Sequence, residues 1–173
     1  TSSPRIGLVV QPKESWSLFD PRLIGWRLQG GERAVQLRSL TGLREAIEPA
    51  AAQAAARRAT PAQRARILQT ATSLLDLATA GDVDGFLELD VEFHRCLVES
   101  SGNEMFMELA PVVESVLRWR TDLAHLSAVP GTGALQAHLS VAQAICAGDG
   151  ARARGAMETL IGEVHSQFGA LLV

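Results

Sequence analysis

The chain has 173 residues, 47% of them hydrophobic, with no tyrosine and a formal net charge of −3, which suits one domain burying roughly two thirds of its unfolded surface. No apolar run approaches the ~20 residues of a membrane span and no secretory signal pattern is present, so the expected location is cytoplasmic. A pI near 5.8 argues against a large nucleic-acid footprint on this stretch alone.

The first 31 residues differ from the rest, holding three of the seven prolines and two of the three tryptophans. GLVVQP reads as a short strand that Pro12 ends. In SWSLFDPRLIGWRL, Asp20 is placed to cap a short helix with Pro21 in its first turn. Leu23, Ile24 and Trp26 are its apolar anchors, and Gly30-Gly31 ends it.

From about residue 33 the pattern is helical almost throughout. Leu40, Leu43, Ile47, Ala51 and Ala54 mark a first long helix to about Arg58, in which Pro49 is expected to introduce a kink. Thr60-Pro61 starts a second, to about Ala80, and Gly81-Asp82 starts a third that ends at Ser101-Gly102. Asn103 caps a fourth, with Phe106, Leu109, Val113, Val116, Arg120 and Leu123 along one stripe. After a Val129-Pro-Gly-Thr-Gly loop, the fifth runs from about Ala134 to Ala147, and Gly148-Asp149-Gly150 turns into a last helix ending near Leu171. The expected fold is all-α: an antiparallel bundle of about six long helices preceded by a short linker segment. Cys96 and Cys146 read as reduced, buried small hydrophobes in helices of an intracellular protein.

Several polar side chains interrupt the apolar stripes. In LELDVEFHRCLVES, Asp90 follows Phe86 by four and His94 precedes Leu97 by three, so both project inward, while Glu88, Glu92, Arg95 and Glu99 form the solvated face. His138 lies three after Leu135 and seven before Ile145; Arg120 follows Val116 by four; Arg44 follows Leu40 by four. A buried carboxylate is costly unless paired. The partner of Asp90 is a metal ion, an arginine or His94 itself.

Asp90 and His94 at i and i+4 are spaced to share one cation, and His138 supplies a third ligand from another helix, leaving coordination positions open. Arg44 and Arg120 offer planar forks to a ligand carboxylate. The structural alternative pairs each arginine with a buried carboxylate such as Glu48 or Asp90. His125 reads as a solvent-facing residue at a helix C-terminus. Two other classes stand beside a ligand sensor. A helical-bundle metalloenzyme needs an acid or base beside the metal, and no further inward carboxylate stands at motif spacing. A ligandless dimerisation module would use the polar cluster as a buried network.

LREAIEPAAAQAAARRAT (43–60), the D-x-x-F-H of residues 90–94, the SGN of 101–103 and HLSVAQAICAGD (138–149) together resemble the C-terminal effector-binding (FCD) domain of FadR-type GntR transcription regulators. GLVVQPKESWSLFDPRLIGW resembles the wing end and linker that join this domain to a winged helix-turn-helix, which is missing from this chain. The resemblance implies that residues 1–31 are a wing and linker remnant, and that residues 32–173 form a helical effector-binding and dimerisation domain. It further implies a homodimer that senses a small carboxylate or sugar acid and reaches operator DNA only through the missing domain, with no enzymatic activity. In many relatives an Asp and three His hold a divalent metal; Asp90, His94 and His138 match three of these, and Leu160 stands at the fourth position. His165 is rotated about 140° from position 160 on an ideal helix. Two imidazoles favour zinc or nickel over magnesium. The WSLFDPRLIGW linker resembles that of regulators of sugar-acid catabolism.

Overall fold

In the computed structural model the backbone is described for residues 2–3, 7–124 and 132–168, and the side chains for residues 7, 9–119 and 132–163. The side chains of Arg120, His125 and His165 therefore lie outside the described residues, as do positions 169–171, where the last helix was expected to end. A two-residue antiparallel pair, β1 (Ser2–Ser3) and β2 (Gly7–Leu8), opens the chain in the Gly7 region where a strand is predicted. Helix α1 (Pro21–Gln29) follows, with the Asp20 side chain accepting from the Arg22 N–H and Pro21 in the first turn.

The long helices are α2 (Arg33–Arg58), α3 (Pro61–Ala80), α4 (Val83–Ser100), α6 (Ala110–Ala124), α7 (Thr132–Ala147) and α8 (Gly150–Phe168), with a single turn, α5 (Glu104–Met107), before α6. The expected all-α bundle is what forms. Helix α2 runs unbroken through Pro49, whose ring removes one ladder donor without ending the helix. Helix α3 starts with a reciprocal capping box: the Thr60 hydroxyl accepts from the Gln63 N–H, and the Gln63 side chain accepts from the Thr60 N–H. It stops at Gly81, left-handed at φ 71°, a conformation that costs glycine little.

The expected single fourth helix is two pieces. Asn103 caps as predicted, accepting from the Met105 N–H, but Pro111 has no N–H to continue the ladder from α5. The chain turns through Leu109 N–H to Phe106 O and restarts with Val113 N–H to Leu109 O. The face persists across the break, with Val112, Val113, Val116 and Leu117 buried.

The main core joins the alanine-rich second half of α2 (Ala51, Ala52, Ala55, Ala56) to α3, α4, α7 and α8. Small side chains let α8 approach closely; a Cβ on Gly150 would stand 3.1 Å from the Gln53 carbonyl oxygen of α2. A second cluster docks α1 through Ile24 and Leu28 against Leu37 and Leu40 of α2 and Val112 and Val116 of α6. A third, Ile47, Val91, Val113 and Leu117, ties α2, α4 and α6. Both cysteines are free, but only Cys96 is buried. Cys146 is exposed, because Val141, Ala142, Ala144 and Ile145 occupy the inward face of α7.

Among the described residues no helix is long and apolar enough to cross a membrane. Leu97 has no exposed surface, so Leu97→Ala is expected to cost about 2–5 kcal/mol in urea unfolding. Thr60→Ala should cost about 1 kcal/mol, and Thr60→Ser much less.

Candidate metal centre and its supporting ion pair

The 3.6-residue period of α4 puts Asp90 and His94 one turn apart on the face toward α2 and α7. Both are buried, at 0% and 2% exposure, as is His138 of α7 at 2%. One ligand atom from each of the three lies within 4.8 Å of the others. The spacing in the sequence and the convergence in space agree.

Donor and acceptor roles follow from what each ring nitrogen faces. His138 Nδ1 is 2.8 Å from the Ala134 carbonyl oxygen, which only accepts, so Nδ1 carries a proton. The other nitrogen, Nε2, stands 2.9 Å from Asp90 Oδ1. In the neutral ring that places a lone pair against a carboxylate oxygen, an arrangement stable only with a cation between them, either a proton or a metal ion.

His94 is arranged the same way. Its Nδ1 lies 2.8 Å from Glu48 Oε2, while Nε2 lies 3.6 Å from Asp90 Oδ1 and 3.5 Å from Arg44 Nη2. The Nδ1–Glu48 contact is short but poorly aligned, so it is an electrostatic pairing more than a straight hydrogen bond. Charge still decides the tautomer: a lone pair at Nδ1 would be repelled by the carboxylate, so Nδ1 carries the proton and the Nε2 lone pair faces Asp90 and the Arg44 guanidinium. Both imidazoles thus turn Nε2 toward one oxygen of Asp90. The Phe93 ring holds them edge-on, with centroids 5.5 Å from His94 and 4.9 Å from His138.

These donors fit a divalent cation. Bond lengths near 2.1 Å at angles of 90–109° put neighbouring ligand atoms roughly 3.0–3.4 Å apart, and the separations of 2.9 and 3.6 Å bracket that range. Each histidine also has its outer nitrogen held by an oxygen, the usual support for a metal-ligating imidazole. Leu160, 1% exposed, is part of the apolar core; it offers no donor.

Behind His94 lies a buried ion pair. Arg44 Nε donates to Glu48 Oε1 at 2.6 Å and Nη2 donates to Oε2 at 3.3 Å; the two residues are 4% and 0% exposed. Burial pushes the Glu48 carboxyl up, but Arg44 and then His94 outweigh it and hold the pKa at about 2. Burial likewise works against the Arg44 charge, and Glu48, with Asp90 beyond it, more than compensates.

Glu48 corrects one expectation: it is a further inward carboxylate beside the cluster. Held so far below the usual carboxylate range, it is a poor proton acceptor near neutrality. Its place was legible in outline, since Arg44, Ile47, Glu48, Ala51 and Ala55 recur at helical spacing on one buried face. Arg44, expected as a ligand fork, is engaged with Glu48 and reaches His94; Arg120 is carried by α6, its side chain outside the described set.

The fold and the site together define a helical bundle in whose interior Asp90, His94 and His138 converge. Residues 39–163 match the FCD domain family, and the chain belongs to that family. It is 29% identical over 161 residues to the galactonate operon transcriptional repressor of Escherichia coli (strain K12), an alignment covering 90% of this chain and 67% of that protein. It is 24% identical over 159 residues to the uncharacterized HTH-type transcriptional regulator YieP of the same strain, covering 91% and 67%. A solved GntR structure from Streptococcus agalactiae superposes with a TM-score of 0.68 at 26% identity, covering 96% of this chain and 74% of that one. The chain spans about two thirds of the length of these curated relatives. Both curated relatives are named as transcription regulators and the solved structure is a GntR, so the FCD match supports effector sensing in gene regulation rather than enzymatic turnover as the role of this domain.

Removing one member of the buried pair leaves the other charge unmatched. Glu48→Leu should therefore lose about 3–5 kcal/mol, whereas Arg44→Leu/Glu48→Leu should lose markedly less, in denaturant titrations of each variant. Simple addition of the two single-variant losses would contradict the pairing.

Proposed function

We propose that this chain is the sensor of a FadR-type GntR regulator, binding a small carboxylate or sugar acid through a divalent cation held by Asp90, His94 and His138. The observation that carries the reading is the shared aim of two imidazole Nε2 atoms at one buried Asp90 oxygen. A cation bound there supplies Lewis-acid attraction for a carboxylate and an adjacent hydroxyl. With Leu160 in place of a fourth protein ligand, the remaining coordination positions are open to water or the effector. The sugar-acid class is supported by the likeness to a regulator named for galactonate and by the linker sequence. Zinc or nickel suits the two imidazoles.

The protein's own contribution is orientation and charge. Arg44, beside His94 Nε2, and Arg120, carried by α6, receive the effector's anionic group. Filling the site draws together α2, α4, α6 and α7. Because α1 is docked on α2 and α6, a change in their packing reaches the segment before residue 33, and with it a winged helix-turn-helix domain on operator DNA. The device works as a population shift within a homodimer in the cytoplasm, driven only by the effector's different affinity for the two arrangements.

Galactonate together with nickel or zinc should raise the melting temperature. At a ligand concentration of 100 Kd the expected stabilisation is about 2.7 kcal/mol. Arg120→Ala should shift the titration to higher galactonate by tenfold or more, and His138→Ala should abolish the metal-dependent part. No bound metal and no shift with any sugar acid or small dicarboxylate would refute the reading.

A further inference from the structure

A single carboxylate has two clients in this site. Glu48 Oε2 is shared between His94 Nδ1 at 2.8 Å and Arg44 Nη2 at 3.3 Å, while Oε1 receives Arg44 Nε at 2.6 Å. Arg44 in turn reaches His94 Nε2 at 3.5 Å, so the three side chains close a ring around one imidazole. Among the described residues no carboxylate supports His138 in this way; its outer nitrogen is fixed by the Ala134 backbone carbonyl of its own helix. The two histidines therefore owe their tautomers to supports of different kinds, one of which substitution can remove.

We propose that Glu48 is the positioning residue of this centre. It holds His94 with Nδ1 protonated and Nε2 presented to Asp90, and it parks the Arg44 guanidinium at the rim of the site, where an anionic ligand would meet it. Glu48 touches neither cation nor effector. Its effect is exerted through the two residues it holds. An imidazole freed from such a support rotates or adopts the other tautomer, in which Nε2 carries a proton and offers no lone pair. Loss of an outer oxygen partner of this kind lowers metal affinity about 10–100-fold. The part of the inference that concerns cation affinity rests on the proposed function; the part that concerns the His94 tautomer does not.

The test uses two double variants of the 173-residue chain, both without the Arg44 charge so that neither leaves a carboxylate uncompensated: Arg44→Leu/Glu48→Leu and Arg44→Leu/Glu48→Gln. Long-range nitrogen–proton NMR of metal-free protein, at a pH where the His94 ring is neutral, reads its tautomer. Wild type and the Gln-bearing variant should show His94 protonated at Nδ1, and the Leu/Leu variant a mixture with the Nε2–H form. His138 should stay protonated at Nδ1 in all three, which also reports that the bundle is folded. Calorimetric titration with nickel(II) chloride should then give an affinity about 10–100-fold lower for the Leu/Leu variant than for the Gln-bearing one. An unchanged His94 tautomer in the Leu/Leu variant, or equal nickel affinities for the two, overturns the proposal. Wild-type protein that takes up no nickel sinks the proposed function instead, and the tautomer spectra alone then decide the role of Glu48.

Discussion

A carboxylate with no exposed surface, Asp90, sits in the middle of a helical bundle. In an apolar interior such a charge is tolerated only if positive or hydrogen-bonding groups surround it. Among the described residues, three answer that demand. His138 approaches from α7, His94 from the next turn of α4, and the Arg44 charge lies beyond His94 on α2. The Nδ1 of each ring faces outward, toward the Ala134 carbonyl or Glu48, and each Nε2 turns toward Asp90. On the proposed reading, the point where the two Nε2 atoms and Asp90 converge, with the Arg44 guanidinium at its rim, is the place for a cation.

The energetic contrast with the surface is instructive. Arg118 bridges Glu88 and Glu114 across α4 and α6, but partly exposed pairs like these are screened and contribute about 0–1 kcal/mol. The Arg44–Glu48 pair is fully desolvated. Its members are costly to separate and gain little from being together rather than replaced by apolar groups. Retaining such a pair in a bundle whose alanine-rich core packs well is therefore better explained by what it orients than by what it stabilises.

Most of the fold was legible because its signals are local. Thr60-Pro61, Gly81-Asp82 and Asn103 are helix-end chemistry that acts within a few residues, and each does what its side chain predicts. The helix that broke was misread because the apolar stripe from Phe106 to Val116 continues across Pro111 in space while the backbone ladder does not. Asp90, His94 and His138 were legible because a polar group on an apolar stripe is conspicuous. Glu48 was harder: it lies beside Ile47 on a stripe thinned to alanines, and nothing local says that its neighbour in space is His94, 46 positions later. The buried state of both cysteines was half right, because α7 turns Ile145, not Cys146, toward the core.

The central claim is that a cation binds where the two Nε2 atoms and Asp90 meet. Crystals of the protein grown with nickel, measured on both sides of the nickel absorption edge, would show it directly. The account predicts one strong anomalous peak within bonding distance of Asp90, His94 and His138, next to the Arg44 guanidinium. A metal-loaded crystal with that position empty and the nickel bound elsewhere would contradict it.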